Sequence, residues 1–166
     1  LQKVQIVGLR VAHVGLDGRG TGNVPSPEMV PERHRQTIWC LDWSPDGTRI
    51  AYSTNDRGSY AIWARSADGT GQADSLFARN FHAGIMDWSA VGGTLVLTTF
   101  PAGNPDLWVL PDNGHGEPRE IVATRFTENI GRLSPDGRWL AYASNESGRF
   151  EIYVRPYPEA GGKWQV

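Results

Sequence analysis

The chain has 166 residues and a formal net charge of −2, which suits a single domain with its own buried core. So small a charge gives no electrostatic reason to expect nucleic acid as a partner. The lone Cys40 excludes an intrachain disulfide, and no apolar run approaches the roughly 20 residues that cross a membrane as a helix. We therefore expect no nucleic-acid binding and no membrane insertion.

Turn-forming residues are spread evenly along the chain. Its 20 glycines and 11 prolines leave almost no room for helices of ordinary length. The composition therefore predicts an all-β chain with frequent turns.

Residues 1–36 resemble the second half of the four-stranded unit that follows them. Arg10–His13 suits a strand, Asp17-Gly18 suits a hairpin turn, and Val24–Arg33 is a Pro-rich insertion. The sequence starts without an initiator Met or a signal-peptide core. We expect either that a leader has been removed or, in preference, that the chain is a piece of a longer one.

Residues 37–78 are predicted to form four short antiparallel strands. The first strand, Thr37–Trp43, ends at the turn Ser44–Gly47, where Pro and Gly supply the backbone angles that a tight turn requires. The other three strands are predicted at Arg49–Thr54, Tyr60–Arg65 and Ala73–Ala78.

This unit repeats twice more with a period of 45 residues. The segments 41–66, 86–111 and 131–156 align without gaps. Four antiparallel strands in 40–50 residues are typical of a β-propeller blade. We therefore predict an open or fragmentary β-propeller with three complete blades at 37–78, 82–123 and 127–166. A partial N-terminal blade at 1–36 precedes them.

Two stretches, WSPDGTRIAY from Trp43 and LSPDGRWLAYASNESGRFEIYV from Leu133, resemble a known family. They are similar to the TolB-like, WD-type β-propeller repeats of bacteria, in which an S-P-D-G turn precedes an I-A-Y or L-A-Y strand. The resemblance covers residues 37–166. The ending VRPYPEAGGKWQV resembles propellers fused to bacterial serine/threonine kinases. In the middle unit Ala90-Val91-Gly92 replaces Pro-Asp-Gly, which weakens that turn without changing its register.

The resemblance implies function only loosely. Such propellers bind proteins or peptides, gate peptidase active sites or serve as sensor domains, and the fold does not decide among these roles. It also leaves the location open between the bacterial periplasm or cell envelope and the cytoplasm.

Motifs of catalysis are missing from the sequence. It contains no protein-kinase signature, no G-x-S-x-G elbow and no H-E-x-x-H. The glycine-rich stretch Gly15–Gly22 opens no helix and suits a hairpin better than a phosphate loop. Asp42 and Asp87 repeat before a tryptophan, with Arg132 as their third equivalent, and we predict that they cap a neighbouring turn and are not catalytic. The sequence predicts no catalytic residue, no metal site and no cofactor.

Function is therefore sought in residues that do not repeat. In propellers of this connectivity, the loops that join successive blades surround the mouth of the channel. The candidate binding residues in or next to these loops are Arg35, Arg79, Asn80, His82, Arg125, Glu128 and Asn129. Converging arginines with His82 would suit a carboxylate, a phosphate or an acidic peptide. Solvated loops with local salt bridges, such as Arg125 with Glu128, are the alternative.

Three functions remain open at this point. The sequence favours a non-catalytic binding or scaffold module for a protein or peptide, or a sensor part of a larger bacterial protein. A hydrolase or lyase using His82 with Glu128, or with an aspartate at the channel mouth, is the second possibility. A carbohydrate-binding propeller using Phe81, Trp39 and Trp139 is the third. In each case the uncovered faces of the first and last blades predict self-association.

Overall fold

The computed structural model describes residues 37–56, 59–101, 103–159 and 161–166. These residues form three four-stranded antiparallel sheets in which each strand pairs with its neighbours in the sequence. The predicted partial blade at 1–36, with its Pro-rich insertion and Arg35, lies outside the described residues. Within the described ranges the only helical element is a 3-10 turn at Asp112–Gly114, so the all-β prediction is confirmed.

The three sheets follow one another along the chain. Sheet 1 comprises β1 (Thr37–Trp43), β2 (Arg49–Asp56), β3 (Ser59–Ser66) and β4 (Asp74–Arg79). Sheet 2 comprises β5 (His82–Trp88), β6 (Leu95–Phe100), β7 (Asp106–Leu110) and β8 (Arg119–Val122). Sheet 3 comprises β9 (Glu128–Leu133), β10 (Trp139–Ser144), β11 (Glu151–Pro156) and β12 (Trp164–Gln165).

The first turn of each unit has the same hydrogen bonds. The backbone N–H of Ser44 donates to the carbonyl of Arg49 at 2.9 Å, and Ser89 and Ser134 make the equivalent bond at 2.8 Å and 2.9 Å. Gly47 has a φ of +70°, which glycine adopts without steric cost. The middle unit therefore keeps the register of the other two without Pro and Asp, as predicted.

The sheets stack face to face, and the repeated positions show where the stack ends. Ile62 and Leu107 are fully buried, each between its own sheet and the next one, but their equivalent Ile152 is 49% exposed. On the other side Trp88 is buried against sheet 1, whereas the equivalent Trp43 is exposed. Among the described residues, one face of sheet 1 and one face of sheet 3 are therefore uncovered.

Carboxylates on the first strands join consecutive sheets. Asp42 Oδ2 accepts the backbone N–H of Trp88 at 2.8 Å, and Asp87 Oδ2 accepts that of Leu133 at 3.0 Å. The two carboxylates thus have a structural role, but each caps the N–H of a strand residue in the next sheet, whereas capping of a neighbouring turn was predicted. Arg132, the third equivalent, lies 3.4 Å from Asp87 Oδ1.

The described residues thus form a partial β-propeller of three blades. No helix in this part of the chain has the length and apolar character needed to cross a membrane.

Candidate binding face at the channel mouth

The loops that join β4 to β5, β6 to β7, β8 to β9 and β10 to β11 lie at one edge of the sheets, because neighbouring strands are antiparallel. We call this edge the mouth face. Hydrogen bonds hold its loops together: the Glu128 N–H donates to the backbone carbonyl of Pro105, and the Thr127 N–H donates to the side-chain Oδ1 of Asn145, both at 2.9 Å. A face fixed in this way loses little conformational entropy when it binds a ligand.

The described arginines of the predicted site rest on aromatic rings of their own segments. The Arg79 guanidinium lies 5.0 Å from the centroid of the Phe77 ring, and that of Arg125 lies 4.9 Å from the Phe126 ring. Arg79, Asn80 and Arg125 are all exposed. Cation–π contacts of this kind hold a guanidinium in place while it remains open to solvent. Their convergence on one ligand stays a prediction.

His82 lies in a cluster of aromatic rings at the junction of sheets 1 and 2. Its imidazole stacks on Phe100 with 4.8 Å between ring centroids, and Tyr60 and Trp39 lie 5.1 Å and 5.6 Å away. We call these four residues the mouth cluster. Burial lowers the pKa of His82 below its ordinary 6.5, which favours the uncharged ring. Its Nε2 atom is buried and has no hydrogen-bond partner among the described residues.

The mouth cluster departs from the repeat. Where sheet 2 has Phe100, the equivalent positions of sheets 1 and 3 carry Asn55 and Asn145. Where it has His82, those sheets carry Thr37 and Thr127. The blade fold therefore does not require aromatic residues at these positions.

Glu128 is buried at the junction of sheets 2 and 3 and is 1% exposed. Its Oε1 accepts hydrogen bonds from Thr124 Oγ1 at 2.6 Å and from Ser144 Oγ at 3.4 Å. Its Oε2 has no partner among the described residues. A carboxylate so deep contacts its own sheet and is out of reach of a large ligand. The loop salt bridge considered for Arg125 and Glu128 is replaced by these hydroxyl contacts.

Asn129 uses its side-chain oxygen within the fold. Oδ1 accepts the hydroxyl of Thr98 from sheet 2 at 3.0 Å and the backbone N–H of Ile130 at 2.8 Å. Nearby, burial and then the charges of Glu128 and Glu120 raise the pKa of Asp106. The candidate residues of sheet 3 thus lie at a polar junction that is separate from the mouth cluster.

Two groupings considered from the sequence are not brought together in the structure. His82 contacts rings of sheets 1 and 2, whereas Glu128 is bonded within sheet 3 and its preceding loop. Of the three aromatics considered as a sugar platform, Phe81 packs against Phe77, and Trp139 packs against Trp164. Trp39 alone belongs to the mouth cluster.

Sequence reasoning did not associate Tyr60 and Phe100 with His82. A signal was present for Phe100, whose equivalents in the other sheets are asparagines, but not for Tyr60, whose equivalent in sheet 3 is Phe150. It was missed because the four rings come from four different strands.

Comparison with known proteins supports the fold and leaves the function open. No family model matches the chain. A probable cytosolic iron-sulfur protein assembly protein 1 from Cryptococcus neoformans is 38% identical over 55 residues, which are 33% of this chain and 12% of that protein.

Solved structures similar to the chain include two TolB proteins. Putative TolB from Agrobacterium tumefaciens superposes with a TM-score of 0.60 at 14% identity, covering 81% of this chain and 50% of that one. TolB from Acinetobacter baumannii gives 0.61 at 19% identity, covering 80% and 32%. A nidogen–laminin complex gives 0.58 at 14% identity, covering 78% and 48%. The chain thus spans half or less of the length of these neighbours, and likeness at such identities shows the propeller fold alone.

Proposed function

We propose that the chain belongs to a non-catalytic β-propeller that binds a protein or peptide segment at the mouth face. The mouth cluster is the observation that carries this proposal. Two of its rings, His82 and Phe100, occupy positions that are polar in the other blades, and Trp39 is 54% exposed. Exposed tryptophan and tyrosine on a rigid support are typical anchors of protein–protein interfaces.

The arginines favour an acidic residue in the bound segment. Arg79 and Arg125 are exposed at the same face and are held on aromatic rings. A guanidinium pairs with a carboxylate through two parallel hydrogen bonds, which adds specificity to attraction. The proposed ligand is therefore a peptide with an apolar anchor for the mouth cluster and a neighbouring acidic group.

The geometry gives less support to a hydrolase or lyase. The base and acid considered for such a reaction, His82 and Glu128, belong to different junctions, and Glu128 is buried. A general acid must come within hydrogen-bond reach of its substrate.

A phage-displayed random peptide library panned against the protein tests this function. We expect an enriched peptide family whose affinity falls at least about tenfold in Trp39→Ala, because truncating an interface anchor typically costs more than about 1 kcal/mol. Trp164→Ala is the matched control, because Trp164 is 47% exposed on sheet 3 and lies outside the mouth cluster. Failure to enrich any family, or equal losses in the two variants, would contradict the proposal.

The uncovered sheet faces support self-association as a second property. Ile152, Phe150 and Trp164 are exposed on sheet 3, and Leu41 and Trp43 are exposed on sheet 1. Apolar surface of this kind favours contact with another protein surface.

A further inference from the structure

A small cleft of about 130 Å³ lies between sheets 2 and 3, at the edge opposite the mouth face. One wall comes from the start of β8, and the other comes from the end of β11 and the segment that follows it. The volume is well below the roughly 300–1,000 Å³ of sites that hold a whole small molecule, so the cleft suits a single chemical group. It is independent of the mouth face and of the function proposed for that face.

Arg155 of sheet 3 reaches across the cleft to sheet 2. Its Nη1 atom donates to the backbone carbonyl of Ile121 at 2.8 Å, which fixes the guanidinium at the junction. Among the described residues this is the one hydrogen bond of the Arg155 side chain, and none of its other nitrogen atoms is buried without a partner. The remaining N–H groups are therefore open to a ligand.

Arg119 and Tyr157 face each other from the two walls. Arg119 Nη2 lies 3.4 Å from the Tyr157 hydroxyl, and the guanidinium lies 5.8 Å from the centroid of the tyrosine ring. The hydroxyl accepts in this contact and keeps its own proton for donation to another group. The cleft thus presents two guanidinium groups and one hydroxyl as donors.

The two positive charges of the cleft are not compensated by ion pairs. In the part of the chain that the structure describes, neither Arg119 nor Arg155 pairs with a carboxylate, unlike Arg49, Arg132, Arg138 and Arg149. Glu120 is the one acidic residue among those that line the cleft. Two guanidinium groups and one carboxylate leave a net positive charge, which favours an anion as ligand.

The three donor residues depart from the repeat. Arg119 pairs with Val109 in the same register in which Asp74 pairs with Ala64, so the two outer strands are directly comparable. The residues 45 positions before the three donors, at the junction of sheets 1 and 2, are Asp74, Leu110 and Asp112. Stacking of blades therefore does not require positive charge here, and the other junction carries carboxylates instead.

We propose that this cleft binds a phosphate group, either as free phosphate or as a monoester. A phosphate monoester carries a charge of about −1.5 to −2 at neutral pH and has three strong acceptor oxygens, one for each donor group of the cleft. Guanidinium groups fit phosphate oxygens through paired hydrogen bonds. A carboxylate has less charge and only two oxygens, and a cation would be repelled by both arginines.

Isothermal titration calorimetry with inorganic phosphate tests the proposal. We expect binding, and we expect the affinity to fall about tenfold or more in Arg119→Ala, because a charge-assisted hydrogen bond is lost. Tyr157→Phe should lower it about threefold or more, because it removes the hydroxyl and keeps the ring. Neither of these side chains is buried, so both variants should fold normally.

A phosphoserine peptide and its unphosphorylated twin distinguish the two sources of the phosphate group. Tighter binding of the phosphorylated peptide than of inorganic phosphate identifies a monoester as the ligand, and the reverse order identifies the free anion. The unphosphorylated twin should bind equally well to the parent protein and to Arg119→Ala, because it has no group for the cleft.

Arg125→Ala is the matched control, because it removes the same charge from an exposed arginine of the mouth face that does not line the cleft. Phosphate affinity should be unchanged in this variant. The proposal is overturned if inorganic phosphate does not bind at millimolar concentration, if glutamate binds as tightly at equal ionic strength, or if Arg125→Ala loses as much affinity as Arg119→Ala. None of these results would affect the peptide binding proposed for the mouth face, which depends on Trp39.

Discussion

Aspartates of the S-P-D-G turns are held in their charged form by the turn itself. Hydrogen bonds from the Ser44 hydroxyl and then from Thr48 lower the pKa of Asp46 from 3.8 to about 2, and bonds from Ser134 and Arg138 lower that of Asp136 to about 2. A carboxyl whose pKa is lower in the folded state contributes stability above its unfolded pKa. That contribution is lost as the pH falls through the folded value.

We therefore expect part of the stability to disappear between about pH 4 and pH 2. The double variant Asp46→Asn with Asp136→Asn should show a shallower decline over this interval, because the amides do not titrate. Urea unfolding at several pH values measures both slopes. Identical slopes in the parent and the variant would show that these two turns do not cause the acid sensitivity.

Two equivalent turn glycines differ in their surroundings. Gly47 and Gly137 have φ of +70° and +68°, but an added Cβ meets nothing within 4 Å at Gly47 and meets Val91 at 2.5 Å at Gly137. Gly47→Ala should cost about 1 kcal/mol of unfolding free energy from the backbone conformation alone. Gly137→Ala should cost about 1–3 kcal/mol more, because Val91 must move. Chemical denaturation of the pair measures the difference, and equal costs would contradict the packing of Val91 on Gly137.

Among the strands, polar side chains on the first two strands of one sheet form hydrogen bonds to the next sheet. Besides the carboxylates of Asp42 and Asp87, the Ser53 hydroxyl of β2 accepts the backbone N–H of Ile85 at 3.2 Å. In sheet 3 the equivalents of Asp87 and Ser53 are Arg132 and Ala143. The exposed face of sheet 3 thus keeps its apolar residues but lacks both kinds of polar connection.

Removal of one such connection should destabilise the stack. In Asp87→Ala the backbone N–H of Leu133 loses its acceptor in a partly buried place, which typically costs about 1–3 kcal/mol. Burial raises the pKa of Asp87, while the hydrogen bond from the Leu133 amide and then the charge of Arg132 lower it. Part of the stabilisation from the Leu133 bond is therefore used to offset the cost of burying the Asp87 carboxyl. Arg132→Ala is the control and should cost less than about 1 kcal/mol, because Arg132 is largely exposed. Urea unfolding of the two variants measures the stability that each one loses. Similar losses in Asp87→Ala and Arg132→Ala would contradict the role of the Leu133 bond.

At the scale of the whole molecule, the face of sheet 3 that carries Ile152 is the clearest surface for association. We expect the protein to associate at micromolar concentrations, and we expect Ile152→Arg to shift it toward the monomer because a charge buried in an apolar contact is costly. Sedimentation velocity measures the mass of each species. Ile130→Arg is the control, since Ile130 is also exposed but lies on the edge strand β9. A monomeric parent protein, or dissociation in both variants, would contradict this prediction.

The sequence by itself determined the propeller architecture. A period of 45 residues, strand-length apolar segments and the turns around Gly47, Gly92 and Gly137 are local properties, because a turn depends on the few residues that form it. They predicted the strands of sheet 1, of which β1 has the predicted bounds and β2 extends to Asp56. That Asp42 is structural could also be inferred, because it recurs at a fixed distance from the turn, but its partner on the next sheet could not.

Only the tertiary structure decided which side chains meet between blades. Trp39, Tyr60, His82 and Phe100 come from four strands, and stacking of sheets 1 and 2 is what joins them. The same stacking buries Glu128 and packs Val91 onto Gly137 of the next sheet. Contacts of this kind depend on the volume and charge of residues on two sheets at once. A pattern read along one strand contains one half of each such contact, and the opposing sheet supplies the other.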